Sequence, residues 1–250
     1  MDNKELNITW CYPDLLNLHG DRGNLMALDK VSKLMGLKVN IQKIENLNDS
    51  IDFEHTDILF FNTGELRMVK PIVESLQSNK EALTNYIESG KTIIVIGTSG
   101  AIFAKEVQRL TETFSGLGYL DMTCKERDTI YGDDLIYTLA DDSSLQLNGS
   151  QIQVIDTTLH QDIALGTIYY GRGNNGDSKH EEGAKYKSLY FTNCLGPVFI
   201  KNPWFTGKII REAMAQKEVT NLPTVEPSLY DIEQKSMECI IKYNDKKIKS

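Results

Sequence analysis

The run Ile93-Ile94-Val95-Ile96 passes directly into Gly97-Thr98-Ser99-Gly100. Four consecutive β-branched residues present no polar face to water, so the strand they form must be covered on both sides. Such a strand belongs in the middle of a parallel sheet, and parallel neighbours need long crossovers, usually helices. The chain supplies both. Further short apolar runs predict strands over 6–11, 37–44, 57–62 and 187–192. Between them Leu25, Leu28, Val31 and Met35 recur at helical spacing, and Val69, Val73, Leu76 and Leu83 do so less regularly before Tyr86 and Ile87. The expectation is an α/β fold with a doubly wound, mostly parallel sheet. From about 121 to 168 the texture changes to shorter β-like runs, with turn signals at Gly132-Asp133-Asp134, Asp141-Asp142 and Asn148-Gly149. That stretch reads as a β-rich excursion built from hairpins. A helix is predicted over 203–215, then a linker around Pro223 and Pro227. A last helix over 228–242 carries Leu229, Ile232, Met237, Ile240 and Ile241 as its apolar face.

Composition narrows the function. The 250 residues carry a formal net charge of −8, and no Lys/Arg block supplies the basic face that a nucleic acid demands. The cluster Lys246-Lys247 with Lys249 is read as a solvated tail. No apolar stretch approaches the roughly 20 residues of a membrane span, and the N-terminal residues lack the apolar core of a signal peptide, so a cytoplasmic location is expected. Cys11, Cys124, Cys194 and Cys239 are widely spaced, which indicates neither a zinc site nor a disulfide framework. The chain has no phosphate-loop or dinucleotide fingerprint: Gly171-Arg172-Gly173 runs on into Asn174-Asn175-Gly176, a turn composition. Neither a cofactor nor a metal is expected.

Tyr12-Pro13-Asp14-Leu15-Leu16-Asn17-Leu18-His19-Gly20-Asp21-Arg22-Gly23-Asn24 resembles the opening signature of GatD-like proteins, the glutaminase subunits of lipid II isoglutaminyl synthases. These stand among the class I, cobyric acid synthase-like glutamine amidotransferases. Ile87-Glu88-Ser89-Gly90, Gly116-Leu117-Gly118, Gly171-Arg172-Gly173-Asn174-Asn175 and Leu195-Gly196-Pro197 echo the family in the same order. The resemblance spans roughly 6–215 and leaves the C-terminal tail outside. It implies a flavodoxin-like amidotransferase domain over 1–218, with 219–250 as linker and helix, and a heterodimer with a MurT-like Mur ligase subunit. Within the signature, Tyr12, Asp14, Asn17, Gly20, Asp21, Gly23 and Asn24 carry the match.

The resemblance also implies where chemistry should stand, and there this chain departs from it. The family cysteine lies seven residues beyond the glycine matching Gly90, which places Gly97 at the nucleophile position. The family histidine precedes a Gly-Pro pair, which places Leu195 at the base position; leucine can neither take nor give a proton. The oxyanion loop reads Asn62-Thr63-Gly64-Glu65, with one glycine of the family's glycine-rich loop kept, so a weakened or refilled oxyanion hole is expected. The family's substrate-holding segment, with its arginine, corresponds to the region from Val154 to Gln161, which has none. Ser99, in a G-x-S-x-G-like turn, is a weak alternative nucleophile, although such a small-residue run at a helix start more often serves as a cap, through Ser99 or Thr98.

Three functions are open at this stage. One is a catalytically silent amidotransferase-like subunit that keeps the fold and a partner surface. The second is an active enzyme of altered mechanism, either a glutaminase with an unconventional nucleophile or a Ser99 hydrolase; Cys194, in a strand with no base placed beside it, does not rescue the arrangement. The third is a small-molecule binding module.

Overall fold

The computed structural model describes residues 4–20, 22–161 and 163–248. Its first sheet contains β1 (Glu5–Cys11), β2 (Lys38–Ile44), β3 (Ile58–Phe61), β4 (Thr92–Ile96), β11 (Ala184–Tyr186) and β12 (Leu189–Thr192). The strands lie in the order β11-β12-β4-β3-β1-β2. All pairs are parallel except the β11–β12 hairpin. The parallel part thus has the flavodoxin-like order. Alternate residues of β3 and β4 feed two separate cores. Leu59, Phe61, Ile93 and Val95 lie in one, and Ile58, Phe60, Ile94 and Ile96 in the other, as the two-residue period of a doubly covered strand requires. On the second face pack α1 (Gly23–Leu34), α5 (Val198–Lys201) and α6 (Pro203–Ala215). The first face receives α2 (Val69–Gln77) and α3 (Lys80–Glu88). These two helices occupy the stretch of less regular helical spacing, and Ser78 and Asn79 separate them.

After β4, a single 3₁₀ turn at Gly97–Ser99 and the short α4 (Gly100–Phe103) lead into the second sheet. It comprises β5 (Ala104–Gln108), β6 (Thr113–Phe114), β7 (Leu120–Leu139), β8 (Gln146–Leu159), β9 (Gly166–Tyr170) and β10 (Glu181–Glu182). The β-rich excursion is therefore present, but two of its expected turns are not. Gly132-Asp133-Asp134 lies inside β7, paired with Ile152, Gln151 and Ser150, and Asn148-Gly149 lies inside β8, paired with Ile136 and Leu135. Only the Asp141-Asp142 signal marks a real turn between the long strands. Gly149 has another purpose: a Cβ there would fall 2.3 Å from Cys194 Sγ and 2.6 Å from the Leu195 carbonyl oxygen. The glycine admits a close approach of backbone, one of the positional meanings of glycine in a strand.

The tail differs from expectation as well. A 3₁₀ turn at Pro227–Tyr230 precedes α7 (Asp231–Ile248), which continues through Lys246-Lys247 instead of fraying before them. Leu229 and Ile232 are exposed, whereas Met237 is buried. The helix is tied to the second sheet by Asn244 Nδ2 donating to Asp134 (3.0 Å), Lys247 on Asp133 (3.3 Å) and the Tyr169 hydroxyl donating to Asp245. Cys11, Cys124 and Cys194 are buried and Cys239 is exposed. Among the described residues no helix is long and apolar enough to cross a membrane.

Candidate active site

The carboxyl ends of β3, β4 and β12 bring together the three segments singled out by sequence: Asn62-Thr63-Gly64, Gly97-Thr98-Ser99 and Cys194-Leu195. This is the edge at which open α/β sheets carry their sites. Gly97 has φ +58°, the kind of strained turn that lifts a side chain off a strand end. A Cβ at Gly97 would lie 2.6 Å from Thr63 Oγ1, 2.9 Å from Thr63 Cβ and 3.2 Å from Leu195 Cδ2. The expected oxyanion, nucleophile and base positions are thus mutual neighbours, and side chains of the other two fill the space in front of Gly97. What remains beside it, bounded by Thr98, Gln153, Thr157, Phe191 and Asn193, is about 10 Å³. That is room for one water at most, against the several hundred Å³ of ordinary ligand sites.

The backbone donors that could face an oxyanion are taken. Thr98 N–H donates to Thr63 Oγ1 (3.3 Å) and Gly64 N–H to Thr98 Oγ1 (3.0 Å). The Thr98 hydroxyl donates to the Gly64 carbonyl (2.5 Å). Its proton is then committed, so in the 3.1 Å contact between the two hydroxyls Thr63 is the donor. An oxyanion hole works because its N–H groups await charge at 2.7–3.1 Å; here side-chain hydroxyls already satisfy them. Ser99 is fully buried and its hydroxyl donates to the Asn62 carbonyl, so it neither caps α4 nor faces an open site. Gly64 is required by packing: a Cβ there would lie 2.5 Å from Leu16 Cδ2 and 2.6 Å from the Leu15 carbonyl oxygen. Asn62 is buried, with both amide atoms unpartnered among the described residues.

Leu195 sits in the apolar core, its backbone paired in both directions with Ser150 (2.8 and 3.0 Å). Cys194 Sγ lies over Gly149. His19, His55, His160 and His180 are all exposed; His55 contacts Asp52 (2.9 Å) and His160 contacts Thr123 (2.9 Å). Among the described residues no group of three or more His, Cys, Asp or Glu side chains is arranged to hold a metal.

The sequence reading missed a polar assembly behind this edge, half-buried at Asp156 and its arginines and buried at Gln151, Asn174 and Glu182. Asp156 accepts from Arg127 Nη1 (2.8 Å) and from Arg172 Nη2 (3.0 Å), so two arginines from elsewhere meet the segment that lacks one. Gln151 Oε1 accepts from the N–H groups of Arg172 and Gly173. Asn174 Oδ1 accepts from Gly183 N–H (2.8 Å) and Asn193 Nδ2 (3.0 Å). Fully buried Glu182 accepts from the Thr192 hydroxyl (2.7 Å), Asn193 N–H (2.7 Å) and Asn193 Nδ2 (3.1 Å). Desolvation pushes its carboxyl above the usual carboxylate range, opposed by those hydrogen bonds. The assembly anchors the chain leading into Leu195. Its signal in the sequence was the Gly171-to-Asn175 motif with the acidic stretch after it.

The N-terminal signature braces the same edge. Buried Tyr12 has φ +55° and its hydroxyl meets Ser75 Oγ at 3.2 Å; burial raises that hydroxyl's pKa to about 12. Leu18 N–H donates to the Thr63 carbonyl (3.1 Å), and Asn24 Oδ1 accepts from Phe199 N–H (2.9 Å). Gly23 is pressed against Pro197, where a Cβ would lie 2.7 Å from Pro197 Cγ. Gly20 has φ +71°. Asp14 and Asn17 are exposed, and Asp21 lies outside the described residues.

No protein-family model matches the chain. Curated proteins do. Lipid II isoglutaminyl synthase (glutamine-hydrolyzing) subunit GatD of Streptococcus pneumoniae is 29% identical over 252 residues, covering 98% of this chain and 93% of that protein. The subunit of the same name from Staphylococcus aureus is 30% identical over 219 residues, covering 86% and 87%. The pneumococcal match takes in the tail, which the motifs alone had left outside the likeness. Among solved structures, a glutamine amidotransferase superposes with TM-score 0.54 at 14% identity, covering 82% of this chain and 98% of its own. PurLQS from Thermotoga maritima gives 0.51 at 14%, covering 76% and 85%. At those identities the structures speak for the fold.

Proposed function

The chain belongs to the GatD family of glutamine amidotransferases, and from that premise we propose that it is a subunit of an amide-forming complex whose own glutaminase chemistry is silent. Its relatives are subunits of lipid II isoglutaminyl synthases. In this reading residues 1–218 form the amidotransferase-like domain, with 219–250 as linker and helix. The chain pairs as a heterodimer with a MurT-like Mur ligase subunit that uses ATP to amidate a peptidoglycan precursor.

One observation carries the silent reading: the space in front of Gly97 is filled by Thr63 and Leu195. Release of ammonia from glutamine needs a nucleophile, a base within hydrogen-bond reach and free donors for the oxyanion. Gly97 brings no side chain, Leu195 no exchangeable proton, and the N–H groups of Thr98 and Gly64 are bonded to hydroxyls. The ligase would then draw on free ammonia or another amine, and this chain would stabilise or position it. Neither the Ser99 hydroxyl, committed to the Asn62 carbonyl, nor Cys194 Sγ, set over Gly149, favours an active alternative.

The test is ammonia release from glutamine by the purified chain, alone and with its co-expressed ligase subunit. The expected result is no release in either case while the pair still forms. Release by the pair, or stoichiometric labelling by an electrophilic glutamine analogue or a fluorophosphonate, overturns the proposal.

A further inference from the structure

A cleft of about 530 Å³ opens between α1 and the segment that begins α7, and it shares no lining residue with the small space beside Gly97. Along one wall Met26, Lys30 and Leu34 stand four residues apart, so they occupy one face of α1. That face is not the one that carries Leu25, Leu28 and Val31 into the core. The other wall brings Leu229 and Glu233, with Ile232 next to them in the chain. Met26, Leu34, Leu229 and Ile232 are 64%, 43%, 57% and 80% exposed. Exposed apolar side chains scattered singly are ordinary, but several gathered round one cleft mark an interaction surface.

The charges on the two walls narrow the choice of occupant. Lys30 stands on α1 and Glu233 on α7, and among the described residues neither side chain makes a hydrogen bond or ion pair. Asp29 does not neutralise Lys30, because it is taken by Lys33 at 2.7 Å. The cleft therefore presents apolar side chains together with one free charge of each sign, one from each wall. Such a face is complementary to itself. A two-fold axis running along the cleft sets α1 of each copy against the α7 segment of the other, an isologous contact in which every pair occurs twice. Lys30 of one copy then meets Glu233 of the other, and Met26, Leu34, Leu229 and Ile232 close over one another between the two ion pairs. An axis across the cleft would instead oppose like charges.

We infer that this cleft seats a second copy of the chain, the two related by a two-fold axis along it. The apolar side chains supply the attraction and the paired charges set the register, as in interfaces with an apolar centre and a polar rim. The net charge of −8 on each copy opposes the approach, but salt at about 0.1 M screens that repulsion beyond roughly 10 Å. Nothing in this contact depends on a ligase subunit.

The experiment is sedimentation equilibrium of the full chain alone, over a concentration series of about 1–200 µM. It compares wild type with Ile232→Asp, Lys30→Glu, Glu233→Lys and the double charge reversal. Leu110→Asp, at an exposed apolar position outside the cleft, controls for added charge. The expected result is a reversible dimer of the wild type and of the control. Ile232→Asp should weaken it at least about tenfold. Each single reversal should weaken it at least about threefold, and the double reversal should return it to within about twofold of wild type. A role of Glu233 confined to its own helix terminus would not be rescued from position 30. Melting temperatures at the lowest concentration check that every variant is folded. A wild type that stays monomeric throughout overturns the inference, whether native mass spectrometry then finds the cleft empty or holding a small molecule. So does a dimer indifferent to Ile232→Asp, or one that the double reversal does not restore; none of these outcomes touches the ligase-partner reading.

Discussion

Gly97 shows how much can turn on one missing side chain. Its backbone keeps the left-handed conformation of a nucleophile turn, while the atoms facing it leave no place for a Cβ. Gly97→Ala therefore adds backbone strain to overpacking, and we expect a loss of roughly 2–4 kcal/mol in urea unfolding. Gly97→Cys should lose as much and still release no ammonia, because Thr63 and Leu195 occupy the space a thiolate would need. Thr98→Val strips the partner from both Gly64 N–H and Gly64 C=O, and an unfolding midpoint should register a loss of about 1–3 kcal/mol. Glu182 gives a pH signature. Its carboxyl titrates above the usual range in the folded chain, so the native state holds the proton more tightly than the unfolded state. The stability this contributes is full below the unfolded carboxyl pKa and is lost as pH rises through the folded value. Urea midpoints from pH 4 to 8 should show that decline in wild type and lack it in Glu182→Gln; parallel profiles would discount the effect.

Among the elements, β3 and β4 were legible because burial on both faces restricts a strand to apolar residues, a rule that shows in the sequence itself. The long hairpin of β7 and β8 was not. Gly132 and Gly149 carry the local signature of turns, and only the approach of Cys194 and Leu195, some forty-five residues further along, explains why Gly149 is a glycine in a strand. The tail was legible as a helix but not as to its seat, because its docking uses Asn244, Asp245 and Lys247 more than the apolar face that periodicity suggests. With Met237 as its one buried apolar side chain among the described residues, α7 should be the first helix to open. Native-state hydrogen exchange is expected to find its amides less protected than those of α6, and those of β3 and β4 exchanging only by global unfolding.

For the whole molecule, the positions of the candidate site could be read from spacing, but what fills it could not. That Gly97 and Leu195 stand where reactive groups would be expected follows from counting residues. That the hydroxyls of Thr63 and Thr98 meet across 35 positions depends on side-chain torsions that no local pattern records. The proposed function keeps the family's fold without its chemistry, and thermodynamics offers a measure of what would remain. A ligase subunit that binds only the folded chain must raise its melting temperature with ligase concentration. Thermal scans over a titration should show that rise; a melting point independent of the ligase would exclude a stable pair.

The joined hydroxyls of Thr63 and Thr98 also bear on history. On the proposed silent reading, no single substitution leads from the present sequence toward hydrolysis by way of a sound protein. A cysteine at 97 collides with Thr63 and Leu195, and a histidine at 195 buries an imidazole in an apolar core with no nucleophile to serve. Opening the loop at 63 removes an acceptor from Thr98 N–H before any charge exists to replace it. Each reversal lowers stability before it can be useful, so under the silent reading proposed above descendants of this chain are confined to whatever a non-hydrolysing subunit can do.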